Sequence, residues 1–268
     1  MREIIYDQSS VSIAGILFVS MALVIEAGYH FGRKSLTNAS ESFRGQLNAI
    51  QASLLGVLAL LLGFTFSLSL QRFDSRSLAV VEEANAIGTA YLRAQLLPAS
   101  IRGEVQTLLG SYLDLRVQAS HVALDNPAER EALVVRTNQI ADALWRQARR
   151  AAEEDGRPVT SGLFIQSLNE LIDSFGRRDA ALNRHVPEAV LFLLYATFLL
   201  AGAIVGYTSG VSGHRAPFAT YIMVALIVLL VFTIIDLDRP RRGLIEVSQK
   251  SLIDLQTAIN ASRNVGAR

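Results

Sequence analysis

The sequence predicts an all-α integral membrane protein, with four transmembrane helices and a cytoplasmic helical bundle inserted between the second and third spans. Three observations lead there. Of the 268 residues 51% are hydrophobic and 18% charged, and the apolar ones gather in blocks at 11–25, 47–70, 189–207 and 218–235. Each block approaches the ~20 residues that cross a hydrocarbon core about 30 Å thick. The interval between the second and third blocks repeats apolar residues at steps of three and four, the period of a helix. Arginines, finally, crowd one side of the blocks.

Taken in order, the first block is a short apolar run that must include Glu26 to reach full span length. Its lead-in, MREIIYDQSS, is mixed in charge and no small-x-small cleavage site follows, so the run reads as a retained helix. The second block passes without a break into Val80, Ala84, Ile87, Tyr91 and Ala94, an apolar face that continues to Pro98. Ile101, Val105, Leu108, Tyr112, Leu115, Ala119 and Val122 mark the next helix. Another starts at Asn126, which can cap it, with Pro127 in the first turn and Glu129 reaching back. Gly156 and Pro158 stop it. Phe164, Leu168, Leu171, Phe175 and Leu182 form the last bundle helix, with Arg178 as the exception on that face. Short connections make these neighbours antiparallel. Pro240 and Gly243 end the fourth span. The chain thus divides into a first transmembrane pair (1–70), a four-helix bundle continuous with spans two and three (71–186), a second pair (187–236) and a C-terminal tail (237–268).

Four spans put both termini and the long segment on one side. Arg72, Arg76, Arg177, Arg178, Arg184, Arg239, Arg241 and Arg242 lie near the membrane there, against Arg33, Lys34, Arg44 and Arg215 opposite. The positive excess makes that side cytoplasmic. Cysteine is absent and the net charge is +1 with signs interspersed, so neither thiolate chemistry nor a nucleic-acid partner is expected. The four histidines, His30, His121, His185 and His214, show no metal-ligand spacing. With no G-x-S-x-G elbow and no phosphate-cradling glycine loop, no enzyme, metal or cofactor is expected.

Three polar faces remain. On the second span Ser53, Gly56, Leu60, Phe64, Ser67 and Gln71 share one side, polar or small at both ends and bulky in the middle. Close helix packing explains such a stripe, since small residues let backbones approach and serines bond to neighbours. From the residues alone packing is the favoured reading, with a water-filled pore with an apolar throat as the alternative. Glu26, His30 and Arg33 share a face, either as a structural pair or as part of an ion path. Glu82, Asn85, Thr89 and Arg93 form a third, read as a salt-bridged solvated face or as the lining of a vestibule.

The stretch LLGFTFSLSLQRF at 61–73 resembles the pore-helix signature of bestrophins: Leu-Gly-Phe, hydroxyl and aliphatic residues, then Arg and an aromatic. DLDRPRRGLIEVSQKSLIDL at 236–255 resembles the segment after their last span. Together with EEANAIGTAYLRAQLLP at 82–98, that tail is similar to the bacterial bestrophin-like membrane family over most of the chain. The resemblance implies an anion channel in the lipid of a bacterial inner membrane. It implies a homo-oligomer, pentameric in bestrophins, with the second span around the axis. The hydrophobic neck positions fall on Gly56, Leu60 and Phe64, which lie on the stripe already found. Gly56 stands where the neck carries a bulky residue and Leu60 where it carries an aromatic one, so a wider or differently selective throat is expected. The calcium clasp of animal bestrophins needs an acidic cluster after Pro-x-Gly. Here Arg241 and Arg242 occupy that turn and only Glu246 and Asp254 follow, so no calcium site is expected. The rival class is a non-conducting signalling or scaffold protein whose bundle binds a partner; a transporter using Glu26 and His30 comes third.

Overall fold

The structure, a computed structural model, describes residues 10–34, 40–122, 126–239 and 244–266. Pro240, Arg241, Arg242 and Gly243 lie outside the described residues. Every regular element among the described residues is helical: α1 (Ser10–Lys34), α2 (Glu41–Ala94), α3 (Ala99–His121), α4 (Pro127–Glu154), a π-helical turn (Pro158–Gly162), α5 (Leu163–Leu182), α6 (Glu188–Val211), α7 (Phe218–Asp238) and α8 (Lys250–Gly266). α2 runs 54 residues without interruption, about 80 Å at 1.5 Å per residue. It contains no proline before Pro98, and its glycines are isolated. The start of α4 follows the sequence signal: Asn126 Oδ1 accepts the Glu129 backbone N–H at 3.3 Å, while Glu129 Oε2 accepts from the Asn126 side-chain amide at 2.7 Å.

The chain forms two compact units, Met1–Arg72 with His185–Ile245 and Phe73–Arg184 with Glu246–Arg268. α2 contributes to both. The first unit holds α1, the first part of α2, α6 and α7, which among the described residues are the four helices long and apolar enough to cross a membrane. Its core joins Leu17, Met21 and Ile25 of α1 to Leu58 and Leu62 of α2, Leu194 and Phe198 of α6, and Val224, Val228 and Ile234 of α7.

α1 and α6 meet backbone to backbone. Gly28 and Gly32 of α1 lie against the backbone of Ala203, Tyr207 and Val211 of α6, and Gly206 and Gly210 of α6 lie against that of Ile25, Tyr29 and Gly32 of α1, each pair spaced by four. A Cβ on Gly206 would lie 2.1 Å from the Ile25 carbonyl oxygen, and one on Gly32 would lie 2.2 Å from that of Tyr207. Only glycine permits this approach. In a lipid environment, where burying apolar side chains gains little, such close packing is what holds helices together. At the end of α7, the Asp236 carboxylate accepts from the backbone N–H groups of Leu244 (2.8 Å) and Ile245 (2.9 Å). Asp238 accepts from Val186 N–H at 2.9 Å, which anchors the entry to α6.

The second unit is a bundle in which α8 joins α3, α4, α5 and the later part of α2. Leu252 and Ile259 of α8 are buried in the same cluster as Ile87, Leu109, Leu144 and Phe164. The C-terminal residues are therefore part of the bundle core, and two glycines make room for them. Gly88 lies under Leu255 and Gly110 under the Arg263 guanidinium. The apolar positions of the sequence pattern point inward as their period requires. Val80, Ala84, Ile87, Tyr91 and Ala94 of α2 are all buried, as are Ile101, Val105 and Tyr112 of α3. Each fully buried leucine, isoleucine or phenylalanine here stabilises by roughly 1.5–3 kcal/mol.

Candidate pore-lining face

α2 is two-sided within the first unit. Leu58, Leu62, Thr65 and Ser69 are buried against the unit's own helices. Thr65 satisfies its hydroxyl locally, donating to the Leu61 carbonyl at 2.7 Å. The stripe of interest points the other way. Leu60 is 58% and Phe64 61% exposed, and Ser53, Gly56, Ser67 and Gln71 are also exposed. A Cβ added to Gly56 or Gly63 would meet nothing within 4 Å. Packing inside the protomer is thus not what the stripe's small residues serve. Its two edges differ in bulk through the middle of the span: Ala52, Ala59 and Gly63 flank one side, where Leu70 follows further on, and Ile50, Val57 and Leu68 the other, and all are exposed.

The polar set Glu82, Asn85, Thr89 and Arg93 lies on α2 within the second unit. With Gln166, Ser167, Glu170 and Arg177 of α5 it lines a groove of about 420 Å³. Its charges are matched. Arg177 bridges Glu82 at 3.5 Å and also bonds Glu170, and Arg93 donates to the Leu163 carbonyl at 3.0 Å. Near the end of α1, Glu26 pairs with His30 at 3.3 Å and with Arg215 at 3.1 Å. Its arginine comes from the α6–α7 connection, where the sequence pattern offered Arg33.

A buried charge cluster in the second unit escapes the helical-period reading. Glu83 is fully buried and receives two arginines: Arg116 Nε donates at 2.5 Å, and Arg178 Nη1 also donates to it. Arg178 in turn donates to Gln249 Oε1 at 2.7 Å, and Arg116 lies over the Phe175 ring with its guanidinium carbon 4.6 Å from the centroid. Burial holds Arg178 below the ordinary arginine range, with Arg116 adding repulsion and Glu83 opposing. Tyr112 is pushed above the usual tyrosine value, first by burial and then by the Glu83 carboxylate. The signal was available: Arg178 interrupts an apolar face, and Glu83 sits between Val80 and Ile87 on another. Such a pair of exceptions asks to be matched.

No curated protein matches the sequence. Solved structures do. A bestrophin homologue from Klebsiella pneumoniae superposes with a TM-score of 0.63 at 18% identity, covering 89% of this chain and 98% of that one. Two substituted forms of a bestrophin homologue from the same organism give 0.66 at 19% identity, over 93% and 99%, and 0.64 at 18%, over 91% and 97%. At this identity the likeness speaks for the fold. The sequence itself matches the bestrophin-like domain over residues 16–252. With four membrane-length apolar helices, an all-helical architecture that superposes on bestrophin homologues and a domain match over most of its length, this membrane protein belongs to the bestrophin-like family.

Proposed function

We propose that the protein is a homo-oligomeric channel for small anions, a pentamer in the bacterial inner membrane with both termini and the bundle cytoplasmic. The second helices surround the axis. The observation that carries this reading is the chemistry of the outward face of α2. The outward faces of α6 and α7 suit lipid throughout, with Phe192, Leu193 and Leu200 on one and Ile222, Leu226 and Leu229 on the other. α2 instead exposes Ser53, Ser67 and Gln71 around an apolar centre of Gly56, Leu60 and Phe64. A face that is wettable at both ends and narrow and dry in the middle is the pattern of a hydrophobic constriction. The phenylalanine ring edge is positive and accommodates an anion. The unequal edges of the stripe favour a ring as well. In a cyclic assembly each copy offers its neighbour the opposite edge, so small residues receive large ones. Glu82, Asn85, Thr89 and Arg93 line the wider cytoplasmic approach.

The test is chloride flux from vesicles holding the purified protein, with the mass of the detergent-solubilised particle measured in parallel. A ring of subunits and dissipation of a chloride gradient are expected, with faster flux for Phe64→Ala because the throat widens and wets more readily. A monomeric particle, silent both as wild type and as Phe64→Ala, overturns the proposal.

A further inference from the structure

The second unit carries another groove, between α4 and α5, of about 350 Å³. Asn138, Ala141, Asp142 and Trp145 line it from α4, and Asn169 and Ile172 from α5. The spacing explains the convergence: 138, 142 and 145 stack on one face of α4, and 169 and 172 on one face of α5. Trp145 is the chain's only tryptophan. It is 37% exposed and Ile172 39%, so an indole and an aliphatic surface are both open to solvent.

What distinguishes this groove from the one between α2 and α5 is its charge. There Glu82 and Glu170 share Arg177. Here Asp142 makes no ion pair within 4 Å among the described residues, although Arg146 stands four residues on, a spacing that favours pairing. No basic side chain belongs to the lining. A carboxylate, the face of an indole and two side-chain amides therefore converge with no internal cation to occupy them. Among side-chain rings, indole attracts cations most strongly, and asparagine carbonyls accept N–H groups. The volume suits a small ligand.

We propose that this groove binds an organic cation carrying an alkylammonium or alkylguanidinium group. Asp142 is its counter-ion, Trp145 its platform, and the Asn138 and Asn169 amides accept its N–H groups. The site is independent of the anion path: its charge repels the class of ion proposed to be conducted. Two sources supply this chemistry, a free cationic metabolite or an arginine side chain from a neighbouring copy.

Trp145 reports on the site directly. The full-length protein in detergent is titrated with butylguanidinium and, separately, with neutral butylurea of the same shape, by tryptophan fluorescence and by calorimetry. Saturable binding of the cation, about tenfold tighter than the urea, is expected. Asp142→Asn, at an exposed position, removes the preference while leaving the helical signal unchanged. Binding to the intact particle assigns the site to a free ligand; binding that emerges only after the particle is dissociated assigns it to a neighbour's arginine. Equal affinity for the two probes, or no binding to either form, overturns the proposal. Loss of chloride flux has no bearing on these outcomes, so the two proposals fail separately.

Discussion

Replacing Gly206 by alanine tests how the first unit is held together. The added methyl would sit 2.1 Å from the Ile25 carbonyl oxygen, 2.9 Å from its carbon and 3.0 Å from the Ile25 Cα. Ordinary contact begins at 3.4 Å, so α1 and α6 must part by about 1 Å, enough to forfeit up to half the attraction of each contact along the seam. Overpacking costs about 1–3 kcal/mol when side chains can yield. Here both sides are backbone with no rotamer to adjust, which places Gly206→Ala near the upper figure, about 3 kcal/mol. Gly63→Ala is the control, since its methyl meets nothing within 4 Å, and it should leave the protomer as stable or more stable, by up to about 1 kcal/mol of helix propensity. Gly210→Ala added to Gly206→Ala should cost less than it does alone, because the helices have already separated. Unfolding in mild detergent, followed by helical circular dichroism, reads all four proteins. Gly206→Ala as stable as Gly63→Ala would refute the seam.

Three further outcomes follow from the second unit. Glu83→Gln leaves Arg116 and Arg178 buried together without their carboxylate, and should destabilise by about 3–5 kcal/mol in denaturant unfolding. Arg116→Met, which keeps one acid with one base, should cost less. Tyr112 gives a pH dependence whose sign is fixed by its raised value: the folded state favours the neutral phenol, while the unfolded chain ionises near pH 10. Its contribution is complete below pH 10 and is lost above it. Wild type should therefore begin to lose stability relative to Tyr112→Phe as the pH rises past about 10, and go on losing it until the buried phenol itself ionises at higher pH.

Periodicity and block length carried most of the fold to the reader. Span two and its extension form one helix because nothing from Leu47 to Ala94 breaks the pattern, and the α4 start was written in its capping residues. Pairings distant in sequence were not legible. Glu83 and Arg178 lie 95 positions apart, and neither residue names the other. Arg215 takes Glu26 from the far end of α6, where local spacing offered only Arg33. The seam was legible in principle: Gly28 and Gly32, just past the first apolar block, and Gly202, Gly206 and Gly210, in and just past the third, each recur every four residues. The polar stripe of α2 draws the eye first, yet a Cβ on Gly56 or Gly63 meets nothing within 4 Å, whereas Gly28, Gly32, Gly206 and Gly210 lie against backbone and Gly202 against the Met21 side chain. The fold of the α8 segment into the bundle was hidden because Leu252 and Ile259 reach the core, and Leu255 and Arg263 their places at Gly88 and Gly110, only in three dimensions.

A joint whose centre is main chain against main chain has few alternative settings. Side chains at an interface can swing between rotamers and let two helices ratchet past each other, but carbonyls seated against glycines offer one fit and a steep penalty for any other. α1 and α6 therefore travel as a single strut, and whatever opens or closes within the first unit must be accomplished by α2 or α7 shifting against it.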